Sequence, residues 1–301
     1  MPVFRRIVAG FAALLLVLSS LAACAADGPF TVTASGTQEL DAAVGATAPD
    51  LVIRVEMFNG PIEVRAGDVG RVAATVETSG VGGSKAEAEA DRAKIQVTLD
   101  ANPDGSVLLR AVYQPNPGSP NNREASAVVE VPPDAALDLR TSNGTVTTSG
   151  ISGPIDVRTS NGAANLAGPE SGANVRTTNG AVEIDGTGLL DVQTTNGSVS
   201  IRGTDATLSV RTSNGDVSFD GTLSDSPQRA VTTNNPITIR LPATAGFTID
   251  ARTTNAEVTL DGFTLKTTAP ATEVAKQGIV GEGGPWLVLR TSNAAIVVSA
   301  Q

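Results

Sequence analysis

The sequence predicts an all-β protein, a single-stranded parallel β-helix (β-solenoid) with coils of ~18 residues, and three observations predict it. One phrase recurs: LRTSNG from Leu139, VRTSNG from Val157, VRTTNG from Val175, VQTTNG from Val192 and VRTSNG from Val210. The variants VTTNN, ARTTNA and LRTSNA follow from Val231, Ala251 and Leu289. The corner asparagines, Asn143, Asn161, Asn179, Asn196, Asn214, Asn234, Asn255 and Asn293, are spaced 18, 18, 17, 18, 20, 21 and 38 residues apart. Around each copy, apolar residues fall at every second position, the period of a strand.

Taken in order, the first segment is a leader. Residues 1–23 carry Arg5 and Arg6, then an apolar run from Ile7 to Leu21, too short to span a bilayer. Leu21–Cys24 reads LAAC and resembles a lipobox, which makes Cys24, the only cysteine, the expected lipidation site. Residues 24–49 are read as a tether between lipid and domain. Residues 50–301 form the solenoid domain, irregular over 50–135 and regular over 136–301. In the irregular part, Asn59-Gly60 with Ile62 and Val64 looks like an early coil. Strands are expected at 71–78, 94–100, 106–113 and 125–132, joined by turn clusters such as NPDG. Residues 84–94 offer only a helical turn or two.

Within a regular unit, the alternation sends Val157, Thr159 and Asn161 inward and Arg158 and Ser160 outward. After the corner come apolar pairs: Ala164/Leu166, Val182/Ile184, Val199/Ile201, Val217/Phe219, Ile237/Ile239, Val258/Leu260 and Ile296/Val298. Before it come Ile155/Val157, Ala173/Val175, Leu190/Val192 and Leu208/Val210. Stacked at about 4.8 Å, such columns make a narrow aliphatic core. Asparagine suits the corner because its amide bonds neighbouring peptides and can ladder with its own kind. Glycine is expected there for positive φ. The hydroxyls of Thr159, Thr177, Thr194 and Thr212 need partners in the same interior. The 38-residue interval reads as two periods holding the insert Lys276–Trp286, with Ile296–Val298 in the last coil.

The segments VEVPPDAALDLRTSNGTV (129–146) and ITIRLPATAGFTIDARTTNAEV (237–258) each run a strand into proline, a short loop, and a strand ending in T-[ST]-N. With FNGPIEV and LRTSNAAIVV, this pattern resembles the bacterial putative-adhesin family of β-strand-repeat proteins over roughly 50–301. The resemblance implies a parallel β-helix, usually membrane-linked, and brings no catalytic residues. The Asn-Asn and Asn-Ala copies near the C-terminus depart from the glycine corner.

Composition narrows the function. The formal charge is −10 and aromatics are 3% of residues, which disfavours nucleic acid and base-stacking platforms. Histidine is absent, removing the commonest general base and metal ligand. No calcium loop, nucleophile elbow or S-x-x-K pair occurs, so neither a metal nor a cofactor is expected and the chain reads as a non-enzyme. The outward arginines Arg140, Arg158, Arg176, Arg211, Arg252 and Arg290 would form a column, with Gln193 filling one rung. Such a column could grip a phosphate, sulfate or uronate polymer. The competing reading is a solvated face neutralised by Asp156, Asp191, Glu183 or Asp216.

The expectation is a lipid-anchored, extracytoplasmic lipoprotein of the cell envelope that adheres to envelope polymer or protein through a rigid surface. The alternative is a structural or sensory scaffold for a membrane protein partner in envelope stress response. Residues 294–300, read as an uncapped edge, would permit head-to-tail self-association.

Overall fold

The computed structural model describes residues 31–44, 51–114, 122–267 and 272–301. Cys24 and the leader lie outside these residues. The all-β class is what the structure shows: among the described residues, one 23-stranded sheet system with a single short helix.

Two parallel ladders run the length of the molecule, and each copy of the repeat contributes one rung, a strand to each ladder. Ile155–Arg158 lies between Ala136–Arg140 and Ala173–Arg176, with Val157 opposite Leu139 and Val175. Ala164–Ala167 lies between Val146–Ser149 and Val182–Gln193. The long strands Val182–Gln193 and Val199–Arg211 bend from one ladder into the other at register shifts near Gly186 and Gly203. Like therefore stacks on like. Every inward pair named above is buried except Leu260, half-buried in the outermost rung.

The order of the rungs departs from the order of the sequence at both ends. Ile62–Ala66 pairs with Glu124–Val131 on one side and Val146–Ser149 on the other, so the rung 52–66 sits inside the rung 107–131. Correspondingly, Trp286–Arg290 and Ile296–Ala300 lie between the rungs 228–241 and 247–261. The 38-residue interval is thus an excursion: the chain lays down the outermost rung, then returns to fill the place it skipped. This corrects the expectation of an uncapped edge at 294–300, because that strand is paired on both sides.

Antiparallel strands close the ends. Val107–Tyr113 is covered by Ile95–Ala101, and Glu124–Val131 by Arg71–Gly82. Phe247–Arg252 is covered by Ala275–Val280, with Phe247 and Phe263 edge to face at 5.3 Å. The insert therefore folds over this end. Val32–Ala43, read from sequence as tether, is a twelve-residue strand antiparallel to Arg71–Gly82. Val32, Ala34, Leu40 and Ala42 share its covered face, but Gly36 and Gln38 interrupt the alternation and only Ala42 is fully buried. The helix Lys85–Arg92 has the expected length, about two turns, and docks through Ala88 and Asp91. Ser84 caps it, accepting from the Glu87 N–H, while the Glu87 carboxylate accepts from the Gly83 N–H. Gly80 lets it approach: a Cβ there would stand 2.2 Å from the Arg92 nitrogen.

The corners hold three columns. Thr141, Thr159, Thr177, Thr194, Thr212, Thr232, Thr253 and Thr291 are all buried. Asn161 and its equivalents are exposed rather than inward, because the chain turns between threonine and asparagine. Their amides form one unbroken ladder in the spatial order Asn59, Asn143, Asn161, Asn179, Asn196, Asn214, Asn234, Asn293, Asn255, with Nδ2 donating to Oδ1 at 2.6–3.0 Å. The ladder follows the exchanged rung order, and the Asn-Asn and Asn-Ala copies belong to it. Positive φ is not the reason for glycine at the regular corners, since among the corner glycines only Gly60 adopts it. The reason is contact. A Cβ on Gly180 would lie 1.7 Å from the carbonyl oxygen of Gly162, and the same holds from Gly162 to Gly144.

Replacing Gly180 by Ala must therefore push two rungs apart. We expect Gly180→Ala to lower the unfolding free energy by about 3 kcal/mol, the upper range for overpacking. Urea denaturation of both proteins measures it; a loss under a third of that value would mean the corner has room.

Candidate functional site: paired arginine and aspartate columns

The arginines meet as expected, on the outer face of the first ladder. Arg140, Arg158 and Arg176 stand in register on successive strands, followed by Gln193 and Arg211. Val231 interrupts the column, which resumes with Arg290 and Arg252. All six predicted arginines thus belong to one line, although Arg252 and Arg290 occur in reversed order.

A second column runs beside it, two residues earlier on each strand: Asp138, Asp156, Asn174, Asp191, Ser209, Arg229, Val288 and Asp250. Residues i and i+2 share a strand face, so each D-x-R triplet sets a carboxylate against its own guanidinium. Arg140 is bidentate on Asp138, with Nε and Nη2 each at 2.8 Å. Arg54 donates to the same carboxylate at 2.9 Å. Arg158 donates to Asp156 at 2.9 Å, and Arg176 approaches Asp191 at 3.6 Å. Asp250 serves two arginines, Arg252 at 2.9 Å and Arg290 at 2.5 Å. Partial burial raises the Asp138 pKa, but hydrogen bonds from Arg140 and Arg54 outweigh that and hold it below its ordinary value. The Asp138 carboxylate in turn raises the Arg140 pKa.

Sequence reasoning named Asp156 and Asp191 as neutralising partners, and both are. Glu183 and Asp216 are not: Glu183 stands on the second ladder opposite Asn165 and Ser200, and Asp216 accepts from Asn235. Asp138 and Asp250 were missed, although LDLR and IDAR repeat the spacing of IDVR and could have revealed them. Among the described residues, Arg211 has no carboxylate partner. Neither has Arg229, its diagonal neighbour on the same face, because Ser209 and Arg229 occupy the positions where aspartate stands elsewhere. Both are exposed. What the face can offer a ligand is therefore two guanidinium forks.

A separate polar centre sits under the helix. Asp91 is 5% exposed and accepts from Arg123 Nε at 2.5 Å, the Tyr113 hydroxyl at 2.6 Å, the Val81 N–H at 3.1 Å and Lys94 Nζ at 3.3 Å. Arg123 lies over the Tyr113 ring at 4.8 Å. Burial raises the Asp91 pKa, but these four donors prevail and hold it far below the ordinary carboxylate value. With its lone pairs committed, this carboxylate ties the helix to the neighbouring strands and has no capacity left to serve as a base.

A depressed pKa stabilises the fold fully above the unfolded value, about 4, and the contribution disappears as pH falls through the folded value. Removing the carboxylate strands a largely buried arginine. We expect Asp91→Ala to cost about 3 kcal/mol at neutral pH and to flatten the loss of stability below about pH 4. Urea titrations at several pH values would show the two curves converging in acid.

A family model described as Toastrack DUF4097 matches residues 49–280. Two solved structures are similar in part. A putative cell adhesion protein from Clostridium sporogenes ATCC 15579 is 13% identical, with 88% of this chain and 100% of that chain covered and a TM-score of 0.28. A putative adhesin from Bacteroides fragilis NCTC 9343 is 10% identical, with 91% and 98% covered and a TM-score of 0.37. No curated protein matches the chain.

Proposed function

This chain belongs to the Toastrack DUF4097 family, and from that premise we propose that it is a non-catalytic binding module of the cell envelope. In this reading Cys24 carries the lipid, the rungs form a parallel β-helix, and its rigid outer face recognises an anionic envelope polymer. The observation that supports it most directly is the gap in charge pairing at Arg211 and Arg229. Elsewhere the arginine column is matched by aspartates, so its forks are occupied and its field is cancelled. Asn174 and Val288 also replace aspartates, yet Arg176 and Arg290 reach carboxylates on neighbouring strands; beside Ser209 and Arg229, among the described residues, none is in reach, leaving planar donors suited to phosphate, sulfate or carboxylate groups. The stack spaces these groups rigidly, which keeps the entropy lost on binding small. Against catalysis stand the lack of histidine and, among the described residues, the lack of any cluster of three His, Cys, Asp or Glu side chains.

The binding reading makes a differential prediction. The double variant Arg211→Ser/Arg229→Ser should bind anionic cell-wall polymer at least about tenfold more weakly, as expected for losing charged hydrogen bonds. Arg158→Ser, whose guanidinium already pairs with Asp156, should bind as the parent does. Equal retention of all three on polymer-coated beads would remove the arginine gap from consideration. The anchor is tested separately: Cys24→Ser should move the protein from the membrane fraction to the soluble extracytoplasmic fraction, and continued membrane association would refute lipidation at that residue.

A further inference from the structure

Five exposed corners carry nearly the same tripeptide, Ser-Asn-Gly or Thr-Asn-Gly, ending at Gly144, Gly162, Gly180, Gly197 and Gly215. Asparagine before glycine is chemically labile. The glycine nitrogen, unhindered by a Cβ, can attack the asparagine Cγ as it loses its proton. A C–N bond forms, the Cγ–Nδ2 bond breaks, ammonia departs with the proton, and a cyclic imide remains. Water then opens the imide to aspartate or isoaspartate. The attack requires the glycine N–H to be free.

At four of the five corners it is not free. The N–H of Gly162, Gly180, Gly197 and Gly215 donates to the hydroxyl of the threonine three residues earlier, at 3.1–3.2 Å. Those same threonines reach the glycine carbonyl of the preceding rung only at 3.3–3.5 Å. The fifth corner is built differently. Thr141 commits its hydroxyl to the Gly60 carbonyl at 2.7 Å, and among the described residues no hydroxyl accepts from the Gly144 N–H. The Asn143 amide is also the most loosely held in the ladder, donating to Asn59 at 3.0 Å, where the others stand at 2.6–2.8 Å.

We infer that Asn143 is a site of spontaneous deamidation in the folded protein, and that the buried threonine column protects Asn161, Asn179, Asn196 and Asn214 from the same reaction. Conversion matters at that position more than at any other corner. Residue 143 joins the regular stack to the exchanged rung 52–66, and a carboxylate there would face the Asn59 amide oxygen with no proton to donate. Asn143 is thus a built-in marker of the molecule's age, located at the seam between the two parts of the stack.

The test compares sites within one molecule. Folded protein is aged in mildly alkaline buffer, and each asparagine is followed by peptide mass spectrometry for the gain of acid and isoaspartate. Asn143 should convert about fivefold faster than Asn161, Asn179, Asn196 and Asn214, the factor that one ordinary hydrogen bond represents. In concentrated urea the five rates should come together. Native rates that are uniform, or slowest at Asn143, would overturn the inference. Thr177→Val should raise the rate at Asn179 to that of Asn143, whereas Thr177→Ser should leave it low. A folded Thr177→Val protein in which Asn179 stays slow would show that the hydroxyl is not the protecting group. If that variant does not fold, the comparison within the parent protein still decides.

Discussion

Direct superposition of one corner on the next is the constraint from which the rest of the molecule follows. Each glycine backbone lies so near the carbonyl of the rung below that no side chain fits between them. The asparagine amides and threonine hydroxyls then fix both neighbours at that level. A slip of one residue would carry every inward aliphatic to the solvent side. Register is therefore enforced twice, by the apolar columns within and by the polar columns at the turn.

Superposition also creates a difficulty, because identical charges meet along a stack as surely as identical valines do. The D-x-R spacing resolves it. Each arginine that would face its own kind instead leans on a carboxylate of its own or a neighbouring strand. Exposed pairs of this sort add little to stability; their effect is to make a column of guanidinium groups tolerable. The pattern lapses at Arg211 and Arg229, where Ser209 and Arg229 stand in the positions that aspartate takes on other strands.

Much of this was legible in the sequence. The recurrent phrase gave the rung length, the alternation gave the inward pairs of the regular rungs, and the threonines could be seen to need partners inside. The asparagine ladder followed from the same spacing. What escaped was non-local or sterically subtle. Val32–Ala43 alternates only at its ends, through Val32, Ala34, Leu40 and Ala42, with Gly36 and Gln38 breaking the pattern between them. Ile237/Ile239, Ile296/Val298 and Val258/Leu260 are interchangeable as inward pairs, so nothing in the residues said which would be neighbours. The glycines were assigned to the wrong cause, since close approach and positive φ leave the same letter in the sequence. The charge gap at Arg211 required knowing which strands lie side by side.

The exchanged rungs have a mechanical meaning. In a stack assembled in sequence order, tension on either end detaches the outermost strand first, opening its hydrogen bonds one after another like a zip. Here a pull that reaches Val52–Met57 or Ile296–Ala300 acts on a strand flanked on both sides, although Val32–Ala43, earlier in the chain, is paired with Arg71–Gly82 on one side. Two rows of bonds must then yield in shear at nearly the same moment. By this weave the two exchanged rungs cannot peel away alone, and each holds in place the rung laid outside it.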